Sequence, residues 1–343
     1  MSGDTLSDVL RAVRLRGAVF YYIKGSSPWV AEAPAAAEII PGIMPGAEHL
    51  MEFHGVAEGS CWAALAGESP LRLHAGDVVL FPRGDAHVIS SAPGLRAPAP
   101  QRDVYFAPRP PQLPHAIDIH APADATTARL EGGGSDRATV VCGFLGLDAR
   151  PFNPLIAALP RVLHLPGTTL SDAPWVATFL AAAVAESSVK RPGGEAVLER
   201  MSEMLFVEAL RRYLDALPAD QTGWLAGMRD PVVGRALSLL HEQPGTAWTL
   251  ERLGAEAGIS RSSLHDRFVH FIGQPPMQYL TSWRMQIAAR RLRDTDAKAV
   301  DVALDVGYES EAAFSRAFKR VVGVSPRAWR HTRARAEGVP ARV

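Results

Sequence analysis

The chain has 343 residues, 47% hydrophobic and 21% charged, which is ordinary globular composition with length enough for two domains. No apolar run reaches transmembrane length, and the opening MSGDTLSDVLRAVRLRG carries two aspartates and no apolar h-region, so neither a membrane span nor a secretory signal is expected. The net charge of +0 is uneven: from Asp230 onward 17 Lys+Arg face 12 Asp+Glu, against 19 and 24 before it, which points to a polyanion partner at the C-terminal end alone.

From Met1 to about Leu147 the pattern is mainly β. Short apolar runs, GAVFYYI, VVLF and ATVVCGFLGL, are separated by Gly and Pro turn signals. The stretch from Ser91 to Asp136 is crowded with proline and ends in three glycines, so it reads as a mobile loop between two strands. Cys61 and Cys142 are too few for a disulfide framework, and reduced thiols in a cytoplasmic protein are expected. Glu52 and His54 are two residues apart and share a strand face. Cys61 follows a turn at Gly59 and is expected on the neighbouring strand. His74, His115 and His120 read as loop-borne, and no role is assigned to them.

The segment GDVVLFPRGDAHV, with Gly76, Pro82, Gly84 and His87, resembles the second motif of cupins. EFHGVAEG, with Glu52 seven residues before Gly59, resembles the end of the first. The resemblance implies a small β-barrel with His87 pointing inward. Metal-dependent cupins add a His-x-His pair ahead of that glutamate, and its places here hold Gly46 and Glu48. His49 is nearby but of the wrong strand parity. A three-His-one-Glu enzyme site is therefore not expected, and a metal-dependent cupin enzyme fused to a DNA-binding domain stands only as the alternative reading. Two readings of the remaining cluster stay open. His54, Cys61, His87 and Cys142 could converge as a Zn or Cu(I) site or a redox site. The cysteines could equally be small buried hydrophobes and the histidines satisfied core residues. Glu52, His54 and His87 are the expected effector-pocket residues, and no cofactor is required.

From about Pro174 the period becomes helical. WVATFLAAAVAESS and EAVLERMSEMLFVEALRRYLDAL are joined through KRPGGE, and the second is expected to bury Val197, Met201, Leu205 and Leu210. Such a pair can cap a core or carry a homodimer contact.

The last hundred residues contain a repeat. LGAEAGISRSSLHDRFVHFIGQPP (253–276) aligns with VALDVGYESEAAFSRAFKRVVGVSP (302–326). In each, a small residue (Gly254, Ala303) stands four places before a glycine (Gly258, Gly307). A serine fit to cap the next helix follows (Ser260, Ser310), then apolar anchors four apart (Leu264 and Phe268, Phe314 and Phe318). This is helix-turn-helix spacing. The outward positions are Ser262, His265 and Asp266 in one copy, and Glu311, Ala312, Ser315 and Arg316 in the other. The uninterrupted PMQYLTSWRMQIAARRLRDT between them predicts a rigid spacer helix. Arg261, Arg267, Arg284, Arg290, Arg316, Lys319 and Arg320 are expected at phosphates or base edges.

Residues 235–330, above all VALDVGYESEAAFSRAFKRVVGVSPRAWR, closely resemble the DNA-binding domain of AraC-type transcriptional regulators. That resemblance implies a seven-helix, double helix-turn-helix domain on promoter DNA. Gly254, where the family usually has alanine, is expected to loosen the first helix slightly. The N-terminal part resembles the cupin-type sensor domain of one AraC-type subgroup, continuing through VVCGFLGLDARPFNPLIAALPRVLHLP. The expected architecture is α+β multidomain: a cupin-like β-barrel sensor over 1–165, a helical connecting module over 166–228, an all-α double helix-turn-helix domain over 229–333 and a tail over 334–343. The expected function is sequence-specific regulation of transcription in response to a small-molecule, metal or redox signal. Expected partners are double-stranded promoter DNA, RNA polymerase, a second copy and a small-molecule effector, with no membrane and no enzymatic activity. The protein is expected in the cytoplasm, nucleoid-associated when bound to DNA.

Overall fold

A computed structural model of the chain describes residues 4–97, 105–106, 115–118, 134–167, 174–189, 191–218 and 220–336. The chain forms two compact units. One contains residues 15–147 and 159–213; the other gathers residues 1–14, 148–158 and the chain from Leu214 on. The grouping cuts the chain at other places than the sequence-derived bounds. The first fourteen residues join the C-terminal unit, and the helical module is divided at Tyr213 and Leu214.

The first unit is built on β1 (Arg16–Ser26), β2 (Val30–Ala33), β3 (His49–Leu65), β4 (Leu71–His74), β5 (Val78–Phe81), β6 (His87–Ser90), β7 (His115–Asp118), β8 (Arg137–Leu147) and β9 (Leu163–Leu165). Their order is β2-β6-β3-β8-β1-β7, with β4 and β5 also on β3 and β9 on β5. β3, 17 residues long, is the hub. It does not end at Gly59, so Cys61 lies further along the strand that carries His54 rather than on its neighbour. Gly59 has φ +75°, and a Cβ there would collide with the Arg137 carbonyl, so β3 and β8 can close at this point only over glycine. A register shift between Val56 and Glu58 changes the parity. Before it, the core-facing residues are even-numbered; beyond it, Cys61, Ala63 and Leu65 enter the same apolar core as Val56, Val79, Phe81, Val140 and Cys142.

The opposite face of β3 is covered by α4 (Trp175–Ser188), where Phe179 meets Phe53 with ring centroids 6.0 Å apart and Leu180 lies over Gly55. α5 (Gly194–Ala216) follows. It buries Leu198, Ser202, Leu205, Phe206, Ala209 and Leu210, but Val197 is 55% exposed. The buried stripe at 100° per residue runs through 198 rather than 197. A short α2 (Ala36–Ile43), which the β pattern did not foretell, packs Ile39 and Ile43 on Leu50 and Phe144. β7 lies inside the stretch read as a loop and pairs in parallel with β1, Tyr21 opposite His115. The rest of that expected loop (98–104, 107–114 and 119–133, with His120), and 337–343 of the tail, lie outside the described residues.

The second unit has α1 (Thr5–Ala12), α3 (Pro154–Ala158), α6 (Trp224–Arg229), α7 (Pro231–Glu242), α8 (Leu250–Glu256), α9 (Arg261–Ile272), α10 (Pro276–Asp294), α11 (Ala299–Asp305), α12 (Glu311–Val322) and α13 (Pro326–Ala336). α7 to α13 are the seven expected helices. The repeat folds as its spacing requires. Gly258 (φ +74°) and Gly307 (φ +82°) make the left-handed turns. Ser260 accepts from the Ser263 amide and Ser310 from the Ala313 amide. Leu264, Phe268, Phe314 and Phe318 are fully buried. α10, of 19 residues, spans about 28 Å. Gly254 is buried in an intact α8, where a Cβ would come within 2.9 Å of the Ile259 carbonyl. None of the described helices is long and apolar enough to cross a membrane.

Candidate functional site

Antiparallel registry assembles the barrel site. On β3, Glu52 pairs with Phe81 and Phe144, while His54 pairs with Val79 and Cys142. Strand alternation puts Glu52 and His54 on one face, and β6 delivers His87 to the same point. All four polar residues are buried. His54 Nε2 and His87 Nε2 are 2.7 Å apart, and Cys142 Sγ is 3.0 Å from His54 Nδ1. His87 Nε2 is 3.7 Å from Glu52 Oε2, and its Nδ1 is 2.9 Å from the Asp85 carbonyl. Phe81 stacks on His87 at 3.7 Å.

These contacts fix the tautomers. The Asp85 oxygen can only accept, so His87 carries its proton on Nδ1 and leaves Nε2 as an acceptor. His54 must then donate from Nε2, and its Nδ1 accepts the Cys142 thiol proton. The result is one directed chain from Cys142 through His54 and His87 to the Asp85 carbonyl. Burial agrees with this neutral arrangement. It holds His87 down to about 4 and, with His87 alongside, His54 well below the usual imidazole range. Burial, then Glu52 and Cys61, pushes the Cys142 thiol well up. Burial also pushes Glu52 up to about 8, and its Oε1 has no hydrogen-bond partner among the described residues.

Glu52, His54 and His87 each present a ligand atom within 4.8 Å of the others. Ligand atoms on a tetrahedral zinc with bonds near 2.0–2.1 Å stand about 3.3 Å apart. The observed 2.7 and 3.7 Å bracket that value. Together with the orphaned carboxylate oxygen, they show a donor set that fits a borderline divalent ion. Cys142 stands behind His54 on its other nitrogen, not beside Glu52 and His87. Cys61 is outside the cluster, in the apolar core, its thiol pushed up to about 12 by burial and then Asp77. His49 is spent on the Pro82 carbonyl, 2.7 Å away. Sequence reading missed Tyr105, whose ring meets Tyr21 and Phe144 at 5.7 and 6.2 Å. Burial, then Glu52 and Cys142, raises its hydroxyl pKa. It sits in the proline-rich stretch, where no periodicity marks it.

On the second unit the outward positions of α12 are open. Glu311, Ala312, Arg316, Lys319 and Arg320 are exposed and Ser315 is half-buried. Among the described residues none of Arg316, Lys319 and Arg320 forms an ion pair. α9 exposes Ser262 and Asp266 and leaves His265 half-buried, with His265 Nδ1 donating to Asp266 Oδ1 at 3.2 Å. Its arginines are occupied: Arg261 pairs with Glu251 at 2.8 Å, and Arg267 Nε donates to both oxygens of Asp230 at 3.0 Å. Arg284, expected at a phosphate, is instead turned inward. It donates to the carbonyls of Pro244 at 2.7 Å and Thr246 at 2.8 Å, and its burial follows from that. Arg290 lies 3.6 Å from Asp294.

Comparison with known proteins agrees with this division. A cupin family model matches residues 4–215, and a helix-turn-helix domain model matches residues 253–332. An AraC-like transcription regulator of Streptomyces lividans is 31% identical over 327 residues, 94% of this chain and 96% of its own. The HTH-type transcriptional regulator AlkR of Acinetobacter baylyi is 26% identical, covering 95% of this chain and 99% of that one. Among solved structures, the DNA-binding domain of the global transcriptional factor AdpA, in complex with a target DNA, is 29% identical over 32% of this chain and 99% of its own, with a TM-score of 0.30. The relatives are regulators rather than enzymes, and this chain belongs to the AraC-type transcriptional regulators that carry a cupin domain ahead of a DNA-binding helix-turn-helix domain.

Proposed function

We propose that this regulator reads a borderline transition-metal ion, Zn²⁺ in the first instance, through Glu52, His54 and His87, and converts its presence into altered promoter binding. The observation that carries the reading is the convergence of two buried imidazole nitrogens on a buried carboxylate whose Oε1 has no other partner among the described residues. Those three residues would hold the ion. Bound there, it would supply a cross-link between β3 and β6. The Asp85 carbonyl orients the His87 ring, and Cys142 on the far nitrogen of His54 sets that ring's orientation. Phe81, stacked on His87, shields that face of the ring from water. The protonated thiols speak against direct oxidation of Cys61 or Cys142 as the primary signal, since the thiolate is the reactive form.

The protein acts in the cytoplasm on promoter DNA, with α12 supplying phosphate contacts and both recognition helices reading bases, and it works on RNA polymerase from there. A homodimer through the helical pair is supported by Val189, Val197 and Met204, which are 67%, 55% and 53% exposed. Metal analysis of the purified full chain after Zn²⁺ loading and dialysis tests the input. One ion per chain, lost in His87→Ala, is expected. An ion-free protein, or equal retention by His87→Ala, would overturn the metal reading and leave a small organic effector in its place.

A further inference from the structure

The two helix-turn-helix copies carry opposite charges at one equivalent place. In α9, Asp266 stands two residues from each of the buried anchors Leu264 and Phe268. In α12, Arg316 stands two residues from each of Phe314 and Phe318. At about 3.6 residues per turn, that position points directly away from the anchor pair. Each side chain therefore lies on the midline of its helix's outward face. Both helices have 12 residues, and both side chains belong to the sixth. Both residues are exposed, the Asp266 side chain by 83%.

The helix itself gives no reason for an aspartate there. Aspartate is a poor helix former, and a carboxylate complements the helix dipole only in the first turn, where α12 has Glu311. Neither arginine of α9 pairs with Asp266, since Glu251 holds Arg261 and Asp230 holds Arg267. Among the described residues, Oδ1 accepts from His265 Nδ1 at 3.2 Å and Oδ2 accepts from nothing. The second helix of a helix-turn-helix lies in the major groove, between two rows of phosphates. A carboxylate on its midline is repelled by those rows and is compatible with binding only where a base edge offers it a proton.

The major groove restricts which base can do so. Guanine shows two acceptors there, and thymine shows an acceptor and a methyl group. Adenine offers the N6 amine but sets the N7 acceptor beside it, against the second carboxylate oxygen. Cytosine offers the N4 amine with no acceptor on the same base. We propose that Asp266 is a specificity-determining residue that selects cytosine in the half-site read by α9. It is the counterpart of Arg316, whose planar fork matches the two acceptors of guanine. The repeated fold thus reads two half-sites of different sequence. The inference rests on both helices reading bases, as proposed above, and is independent of the metal.

Selection of duplexes from random sequence by the full chain tests it, at one salt concentration and both with and without Zn²⁺. Wild type is compared with Asp266→Asn, Asp266→Ala and Arg316→Ala. Wild type is expected to prefer cytosine at one position by roughly fivefold or more over each other base. Asp266→Asn, whose amide matches adenine N6 and N7, should move that preference to adenine and leave the rest of the operator intact. Asp266→Ala should abolish preference at that position alone. Selection of the wild-type operator by both Asp266 variants would overturn the proposal. Tighter binding by both variants on every duplex equally would also overturn it, and would make Asp266 a charge near phosphates. Loss of a base preference in Arg316→Ala, with none lost in the Asp266 variants, would overturn the assignment to Asp266 and leave base reading by the domain standing.

Discussion

Glu52 and His241 are both buried titratable groups, and the structure treats them differently. Burial holds Glu52 neutral, with one oxygen unpartnered among the described residues, so Glu52→Gln replaces a neutral group by a neutral isostere. Melting of the metal-free protein at pH 7 should change by less than about 1 kcal/mol, whereas Zn²⁺ affinity, which needs the anion, should fall at least about tenfold. Calorimetry with and without the ion separates the two effects. His241, in the DNA-binding unit, accepts from or donates to Tyr279 Oη at 2.8 Å, stacks on Trp283 at 4.1 Å and has an Nδ1 without a partner among the described residues. Burial holds its pKa down to about 3. The unfolded chain therefore binds a proton below about pH 6.5 that the folded chain refuses. Its neutral burial favours folding fully above that pH, and the benefit is lost as pH falls toward 3. His241→Phe should flatten the decline in melting temperature between pH 7 and 4, a span in which the histidine accounts for a few kcal/mol.

At the scale of elements, the repeat is where sequence spacing translates most directly into structure. Gly307 combines φ +82° with a neighbouring carbonyl, that of Gly245, 2.5 Å from where a Cβ would sit. Gly307→Val should cost about 1–3 kcal/mol or more, and an unchanged melting curve would contradict the turn. Arg316 is exposed and has no ion pair among the described residues, so Arg316→Ala should weaken promoter binding by about 1–3 kcal/mol if it reads a base, with relaxed preference at one position. Equal weakening on every duplex would assign it to phosphate. The turns, caps and anchors were legible because each is decided by neighbours within a dozen residues. Arg267 and Arg284 were not, because Asp230, Pro244 and Thr246 reach them from 37 to 40 residues away. For the same reason α2 escaped a reading tuned to alternation, since its helical turn is set by packing on Leu50 and Phe144. β7 escaped too, because a four-residue strand without pattern is made by the partner it pairs with.

For the whole molecule, motif spacing brought Glu52, His54 and His87 to one point, and barrel closure added Cys142 by registry. What spacing alone left undecided was which atoms meet. Cys142 addresses the far nitrogen of His54, Cys61 stays in the core, and Tyr105 arrives from a stretch with no periodic signal. The compact units were the least legible feature, since α1 finds neighbours more than 200 residues downstream, Thr5 beside Ser238 and Ala12 on Gln286. Together these features are what the proposed input at a buried donor set rests on, in a regulator whose two recognition helices are separated by a spacer. The most direct test measures the affinity of the full chain for a duplex it has itself selected from random sequence, at fixed salt, metal-free and Zn²⁺-loaded, alongside His87→Ala. The account predicts a change of about fivefold or more on loading in the wild type and none in the variant. Equal affinities in the two states of the wild type, with the ion shown to be bound, would contradict it.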